Sequence, residues 1–355
     1  MKITDEPVEM RKDEELDVRR LEEFLRDNIP GLKGNISIKQ YKGGYSNLTY
    51  LIQSDNREMV LRRPPFGKKA KSAHDMSREF TILKAVRPAF RYCPEPLLYS
   101  DDLSVMDAPF YLMERIRGII LRKDFPEGLV LKPTDVKKLC EKLIDVLCEL
   151  HSLDYRKIGL EDFGKPEGYV RRQVEGWSRR YRDARTEDAP DYEKVIQWLS
   201  DNQPPDSDRP CVIHNDYRFD NVVLDEADPF RIIGVLDWEM ATIGDPLMDL
   251  GNALAYWSEK SDPPELQLMR VSPTTADGML TRKEVVGLYM DKIGMSAGSF
   301  NFYLCFGLFR VAVICQQIYY RYYHGQTKDE RFGALISAVR LFENFALGVM
   351  DGSKW

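Results

Sequence analysis

CVIHNDYRFDNVVLDEADPFRIIGVLDWE, running from Cys211 to Glu239, holds two short β runs, NVVL and RIIGVL, joined by an acidic turn that contains Pro229. Polar residues crowd both ends of this hairpin: His214, Asp216 and Asn221 lead into its first strand, and Asp237 follows its second. An Asp and an Asn five residues apart, on a loop that enters a strand, can face one site. There the Asp accepts the proton of an attacking hydroxyl while the Asn holds a metal, and the hairpin returns the chain to deliver Asp237 as a second ligand. Magnesium takes oxygen ligands and keeps several waters, so one amide and one carboxylate, completed by nucleotide phosphates, suffice. His214, in the catalytic loop with Asp216, is expected to hold that loop in shape. Taken singly, each of these residues is an ordinary turn or capping residue. Their combination around one hairpin is what points to phosphoryl transfer.

Working outward, the N-terminal side reads as a small sheet. Asp17 to Asn28 has a helical period through Val18, Leu21, Phe24 and Leu25 that ends before Pro30 and Gly31. ISIKQY, NLTYLIQS and MVLRRPP then predict three strands of an antiparallel meander, separated by glycine and polar turns. A helix is predicted from Ala73 to Val86, with Met76, Phe80, Leu83 and Val86 on one face, and two further strands in PEPLLYSDD and APFYLMERI. Beyond Gly118 the pattern turns helical, most clearly from Pro133 to Leu153. The apolar run Phe302 to Tyr320 carries Arg310, Gln316 and Gln317 and is expected to be a buried helix, not a membrane span.

The 355 residues exceed what a single core usually serves, and 43% hydrophobic with 30% charged residues is ordinary for a globular chain. A net charge of −6 argues against a nucleic-acid partner. Six cysteines at 93, 140, 148, 211, 305 and 315 form no CxxC frame, and the charged N-terminus lacks a signal-peptide core, so a reducing, cytoplasmic setting is expected. The sequence leaves the oligomeric state open.

HNDYRFDN…VLDWEMATIGDPLMDL resembles the aminoglycoside phosphotransferase and choline kinase superfamily. VLRRPP, SREF, LMER and LHSLD are similar to the branch that includes the kinase-like domains fused to acyl-CoA dehydrogenases, and the likeness runs from about Tyr41 to about Trp257. It implies an α+β, bilobal protein-kinase-like fold: a nucleotide-binding lobe over residues 1–115 and a helical lobe over 116–355 that carries the catalytic loop and hairpin. It implies Asp216 as base, Asn221 and Asp237 as magnesium ligands, and Glu79 as the helix carboxylate of the nucleotide-positioning ion pair. That pair's cation falls on Arg62 where the family commonly has lysine, with Arg63 as the rival; the exchange is not conservative at such a site. The turn Gly43, Gly44, Tyr45, Ser46, Asn47 would cover the phosphates of ATP or GTP with backbone amides, its plainer reading being a hairpin turn. Met113 and Glu114 take the hinge position, where backbone groups would meet adenine. Asp245 is equally a helix N-cap before Pro246, and the role of Asp249 is open.

The function expected is a kinase of a small-molecule hydroxyl, with a hydroxyacyl-CoA-type metabolite suggested by the branch and an aminoglycoside as alternative. A catalytically silent nucleotide-binding scaffold is the rival class, against which the retained base and both metal ligands count. A protein kinase does not fit, because WEMATIGDP stands where DFG and an activation segment would. Basic residues at Arg62 to Lys71 and Arg171 to Arg182, the latter interleaved with Trp177 and Tyr181, read first as solvated faces, though a phosphorylated or CoA-linked substrate would use them.

Overall fold

The computed structural model describes residues 6–41, 47–66, 75–295 and 298–353. Gly43, Gly44 and Ser46 of the expected phosphate-covering turn lie outside the described residues, whereas Asn47 is inside them. The chain divides into two compact units, Met1–Ile120 with Val222–Ala241, and Leu121–Asn221 with Thr242–Trp355.

In the first unit, α1 (Val18–Asn28) starts where the Asp17 carboxylate accepts from the Arg20 amide, and it turns Leu21 and Leu25 inward. β1 (Ser37–Gln40), β2 (Leu48–Gln53) and β3 (Glu58–Arg63) form the expected antiparallel meander. α2 (Met76–Val86), capped by Asp75, buries Met76, Glu79, Ile82, Leu83 and Val86 at helical spacing. β4 (Pro96–Ser100) and β5 (Phe110–Glu114) complete a sheet of order β1-β2-β3-β5-β4, so β5 inserts beside β3. Alternation along β3 sends Met59 and Leu61 into the core shared with Leu21 and Leu25 of α1. Arg62 therefore faces the opposite side, that of α2, while Arg63 shares the α1 side.

The hairpin is observed as expected, as β8 (Val222–Leu224) and β9 (Ile232–Val235). It belongs to the first unit, which differs from the division at residue 115 expected from sequence. The reason is pairing: β6 (Ile119–Ile120) joins β8 as a third strand, the Val235 amide donates to Tyr92 O, and Trp238 packs edge-on against Phe90.

The second unit is helical: α3 (Pro133–His151), α4 (Tyr169–Ala184), α5 (Glu193–Asp201), α6 (Pro246–Ala255), α7 (Pro264–Leu268), α8 (Arg282–Ile293), α9 (Asn301–Tyr323) and α10 (Leu335–Met350). Between α5 and α6 lie β7 (Cys211–Ile213) and β10 (Thr242–Gly244), an antiparallel pair of three-residue strands too short to leave a period in the sequence. α9 packs on α6 through two glycines. A Cβ at Gly307 would come 2.3 Å from Gly251 O, and one at Gly251 equally close to Tyr303 O. By length and composition α9 and Glu330–Met350 could each cross a membrane, but the apolar window of α9 is 78% buried within the protein, as a core helix is. All six cysteines are free thiols.

Candidate functional site

The first unit gathers Asn47, Arg62, Glu79 and Asp237. Arg62 Nη1 lies 2.9 Å from Glu79 Oε1 of α2 and 3.0 Å from Asp237 Oδ1, while Nη2 reaches Asp237 Oδ1 at 3.0 Å and Glu239 Oε2 at 3.2 Å. Asn47 Nδ2 donates to the same Glu239 oxygen at 2.7 Å. Tyr111, the cross-strand neighbour of Arg62, hydrogen-bonds Glu79 on the shared face. Burial works against the Arg62 charge, yet Glu79, with Tyr111, Asp237 and Glu239 behind it, holds its pKa well above the ordinary arginine value. Arg63 is paired elsewhere, with Asp107 at 2.7 Å and against the Phe66 ring, so strand parity puts Arg62 and not Arg63 beside Glu79.

Asp237 has a left-handed backbone, φ 67° and ψ 61°, and its side chain is 35% exposed. A non-glycine residue in that region is uncommon and marks a place where the surrounding structure imposes the conformation. Three carboxylates around one guanidinium leave this cluster with a surplus of negative charge, carried on oxygens. Both properties fit a hard divalent cation. Among the described residues no three His, Cys, Asp or Glu side chains form a metal cluster, so a cation here would take further ligands from phosphate and water.

The second unit gathers His214, Asp216 and Asn221. Asn221 Nδ2 donates to both the Asp216 backbone oxygen and Asp216 Oδ2 at 2.8 Å. Arg218 lies 3.3 Å from Asp216 Oδ2 and 2.9 Å from Asp220. Burial lifts the Asp220 pKa to about 6, against the pull of Arg218 and Arg122 and with the push of Asp216. His214, fully buried, accepts from the Asp216 amide through Nδ1 at 3.3 Å, a contact that shapes the loop.

Asp249 anchors this loop. Its Oδ2 accepts from the His214 amide and its Oδ1 from the Asn215 amide, both at 2.7 Å, and His151 Nε2 meets Oδ2 at 3.0 Å. Tyr289 OH holds the other His151 nitrogen at 2.6 Å. Burial would raise the Asp249 pKa, but the His151 hydrogen bond and the His151 and His214 charges bring it below the ordinary carboxylate value. Asn215 takes φ 65° between these contacts and Asn252, whose Nδ2 donates to its Oδ1 at 3.0 Å. Asp245 is the N-cap of α6, accepting from the Leu247 and Met248 amides. The Asp245 and Asp249 spacing of one helical turn was the available signal that both face inward, and the anchoring role of Asp249 and His151 went unread in it.

Met113 and Glu114 end β5 as expected, but the Glu114 amide donates to Glu95 O at 2.8 Å. That amide is paired within the first unit.

Sheet-plus-helix and helical units with an Asp-Asn loop and an Arg-Glu pair define the protein-kinase-like class. The chain belongs to the phosphotransferase enzyme family, whose model matches residues 37–272. It is 35% identical over 333 residues to acyl-CoA dehydrogenase family member 11 of Gallus gallus, covering 91% of this chain and 42% of that protein. The chain thus spans less than half the length of that relative. A candidate aminoglycoside phosphotransferase from Ralstonia eutropha JMP134 matches with a TM-score of 0.81 at 28% identity, over 96% of this chain and 100% of that one. A choline kinase from Cryptosporidium parvum Iowa II shares the fold, with a TM-score of 0.61 at 15% identity over 96% of this chain and 99% of that one.

Proposed function

We propose that the chain is a magnesium-dependent kinase that moves the γ-phosphate of ATP, or of GTP, to the hydroxyl of a small molecule, in a cytoplasmic setting. The observation that carries this reading is the Asp216 carboxylate, held at 2.8 Å by Asn221 on a loop whose backbone is pinned by the buried Asp249. In this reading Asp216 orients the acceptor hydroxyl and takes its proton, and Arg62, set by Glu79, meets the phosphates with its fork. The family resemblance assigns Asn221 and Asp237 as the residues whose oxygens would hold magnesium. When bound, the metal offsets charge on the transferred group. Family membership supports phosphoryl transfer as the chemistry, and the acyl-CoA dehydrogenase relatives favour a hydroxyacyl-CoA-type acceptor over an aminoglycoside. Positioning and charge compensation, not covalent chemistry by the protein, then supply most of the rate.

The test is Asp216→Ala, assayed by ADP release over hydroxyacyl-CoA thioesters, aminoglycosides and choline-like alcohols. Turnover should fall by a factor on the order of 10² to 10⁴, the span of a general-base contribution, with nucleotide affinity retained. Undiminished turnover in the variant would remove Asp216 from the reaction. Nucleotide binding without ADP release on any acceptor would favour a silent scaffold.

A further inference from the structure

Four arginines of the described residues are buried: Arg62, Arg63, Arg282 and Arg310. Three have carboxylates, Arg62 its cluster, Arg63 Asp107, and Arg282 both Asp262 and Glu259. Arg310 differs. It is 3% exposed, midway along α9, and no carboxylate pairs with it among the described residues; its Nη1 has no hydrogen-bond partner there, as is true of one nitrogen in each of the other three. What it has is the Trp177 ring of α4, whose centroid lies 5.3 Å from its guanidinium carbon. Arg180, one turn along α4, approaches the same ring at 4.7 Å. The charges acting on Arg180 are those of Arg179 and Arg310, which with burial lower its pKa.

A buried guanidinium facing an aromatic ring and a second guanidinium is costly, because ring contact offsets only part of the lost hydration. A bound anion would offset the rest. The location is telling. Tyr256 follows Ala255 at the end of α6, and a Cβ at Gly307, one turn before Arg310 on α9, would come 3.1 Å from the Ala255 Cβ; burial, with the Asp216 charge, pushes the Tyr256 hydroxyl up to about 12. Arg218 stands over the Tyr256 ring at 4.5 Å while pairing with Asp216. Arg310 thus belongs to the same side of the helical unit as the proposed base.

We propose that Arg310, with Arg180 and the Trp177 ring they share, is the subsite for an anionic group of the acceptor, a carboxylate or a phosphate. This rests on the kinase reading in taking Asp216 to face the acceptor, and it names the acceptor class as an anionic alcohol, in contrast to a polycationic one. Arg forks match either oxyanion in two parallel hydrogen bonds, and the ring gives the connecting carbons an apolar wall.

Thermal denaturation without nucleotide tests this independently of turnover. Wild type and Arg310→Met are compared in 4-hydroxybutanoate, butane-1,4-diol, 4-aminobutan-1-ol and inorganic phosphate. The expected result is a concentration-dependent rise in the wild-type Tm with an anion and not with the diol or the amine. Arg310→Met loses that rise, while its own Tm equals or exceeds that of wild type. Protection by 4-hydroxybutanoate alone assigns a hydroxy acid, and protection by phosphate alone a phosphorylated acceptor. Equal protection of the variant, protection by the diol or amine as strong as by the anions, or a lower unliganded Tm in Arg310→Met would overturn the assignment. Arg180→Ala, on the surface, is a second test that leaves the core intact, with weakened anion protection expected and undiminished protection counting against the subsite. Where an anionic acceptor turns over, Arg310→Met should raise its KM about 10- to 100-fold with kcat little changed. Anion protection without any ADP release would retain the subsite and count against the kinase reading.

Discussion

Arg62 and Arg310 are both buried cations, and they are buried in opposite ways. Arg62 is crowded by Glu79, Asp237 and Glu239, so its neighbourhood is short of positive charge. Arg310 meets Trp177 and another arginine, so its neighbourhood is short of negative charge. A buried ion that is fully paired is neutral to stability at best, whereas one left unpaired is a debit that selection removes unless a ligand supplies the counter-charge. The first imbalance suits a divalent cation with phosphates, the second an oxyanion. The comparison therefore says more about what each region receives than either cluster does alone.

The largest expected effect comes from breaking the crowded side. Arg62→Met leaves Glu79 buried beside Asp237 without a cation, and should lower unfolding free energy by about 3–5 kcal/mol in urea titration. Adding Glu79→Met should recover much of that loss, as two apolar residues under α2 replace a charge pair. If the single variant is as stable as wild type, the carboxylates are not relying on Arg62 and the contrast with Arg310 disappears.

Next in size is Asp249→Asn, a third kind of buried charge, satisfied by two backbone N–H donors together with the His151 ring. The amide presents one oxygen where the carboxylate presented two acceptors, so one of the His214 and Asn215 amides loses its partner. A loss of about 2–3 kcal/mol is expected, along with a larger fall in turnover, since the loop carrying Asp216 loosens. The folded-state pKa of Asp249 is below its ordinary value, so its contribution is complete above the usual carboxylate range near pH 4. It is lost as pH falls through the lower folded value. Wild type should therefore shed stability between about pH 4 and more acidic conditions, and Asp249→Asn should shed less over that interval.

How much of this could be read from the chain depended on the range of the cause. α1, the meander, α2, the hairpin and α9 follow from local periodicity, and the starts of α1, α2 and α6 carry Asp17, Asp75 and Asp245 caps. The choice of Arg62 over Arg63 needed the knowledge of which face of β3 lies under α2, which is tertiary. β7 and β10 are three residues each and pair across 28 intervening residues, Ile213 with Thr242 at the inner ends, so no window contains both. Glu239 was visible only as the third residue of DWE, with nothing local to tie it to Arg62. Arg310 was noticed in an apolar helix as a mark against membrane insertion, but whether a polar residue in a core is paired is a property of its neighbours from α4 and α6.

The remaining two predictions work on the side short of negative charge, and the sign of the first is what separates the regions. Arg310→Met removes an unpaired buried charge, so unliganded stability should rise by about 1–3 kcal/mol, opposite to Arg62→Met. A destabilised variant would mean that Arg310 packs as a structural residue. Arg180→Ala is the smallest and the finer instrument. Its side chain is exposed, so urea titration should show a change within about 0.5 kcal/mol. Relief of its repulsion with Arg310 and loss of its contact with Trp177 oppose each other. Anion affinity should nonetheless fall several-fold, and the fall should shrink as salt is raised, because an exposed charge acts through a screened field while a buried one does not. An affinity loss independent of salt would place Arg180 in direct contact with the anion, and no loss at all would count against the subsite.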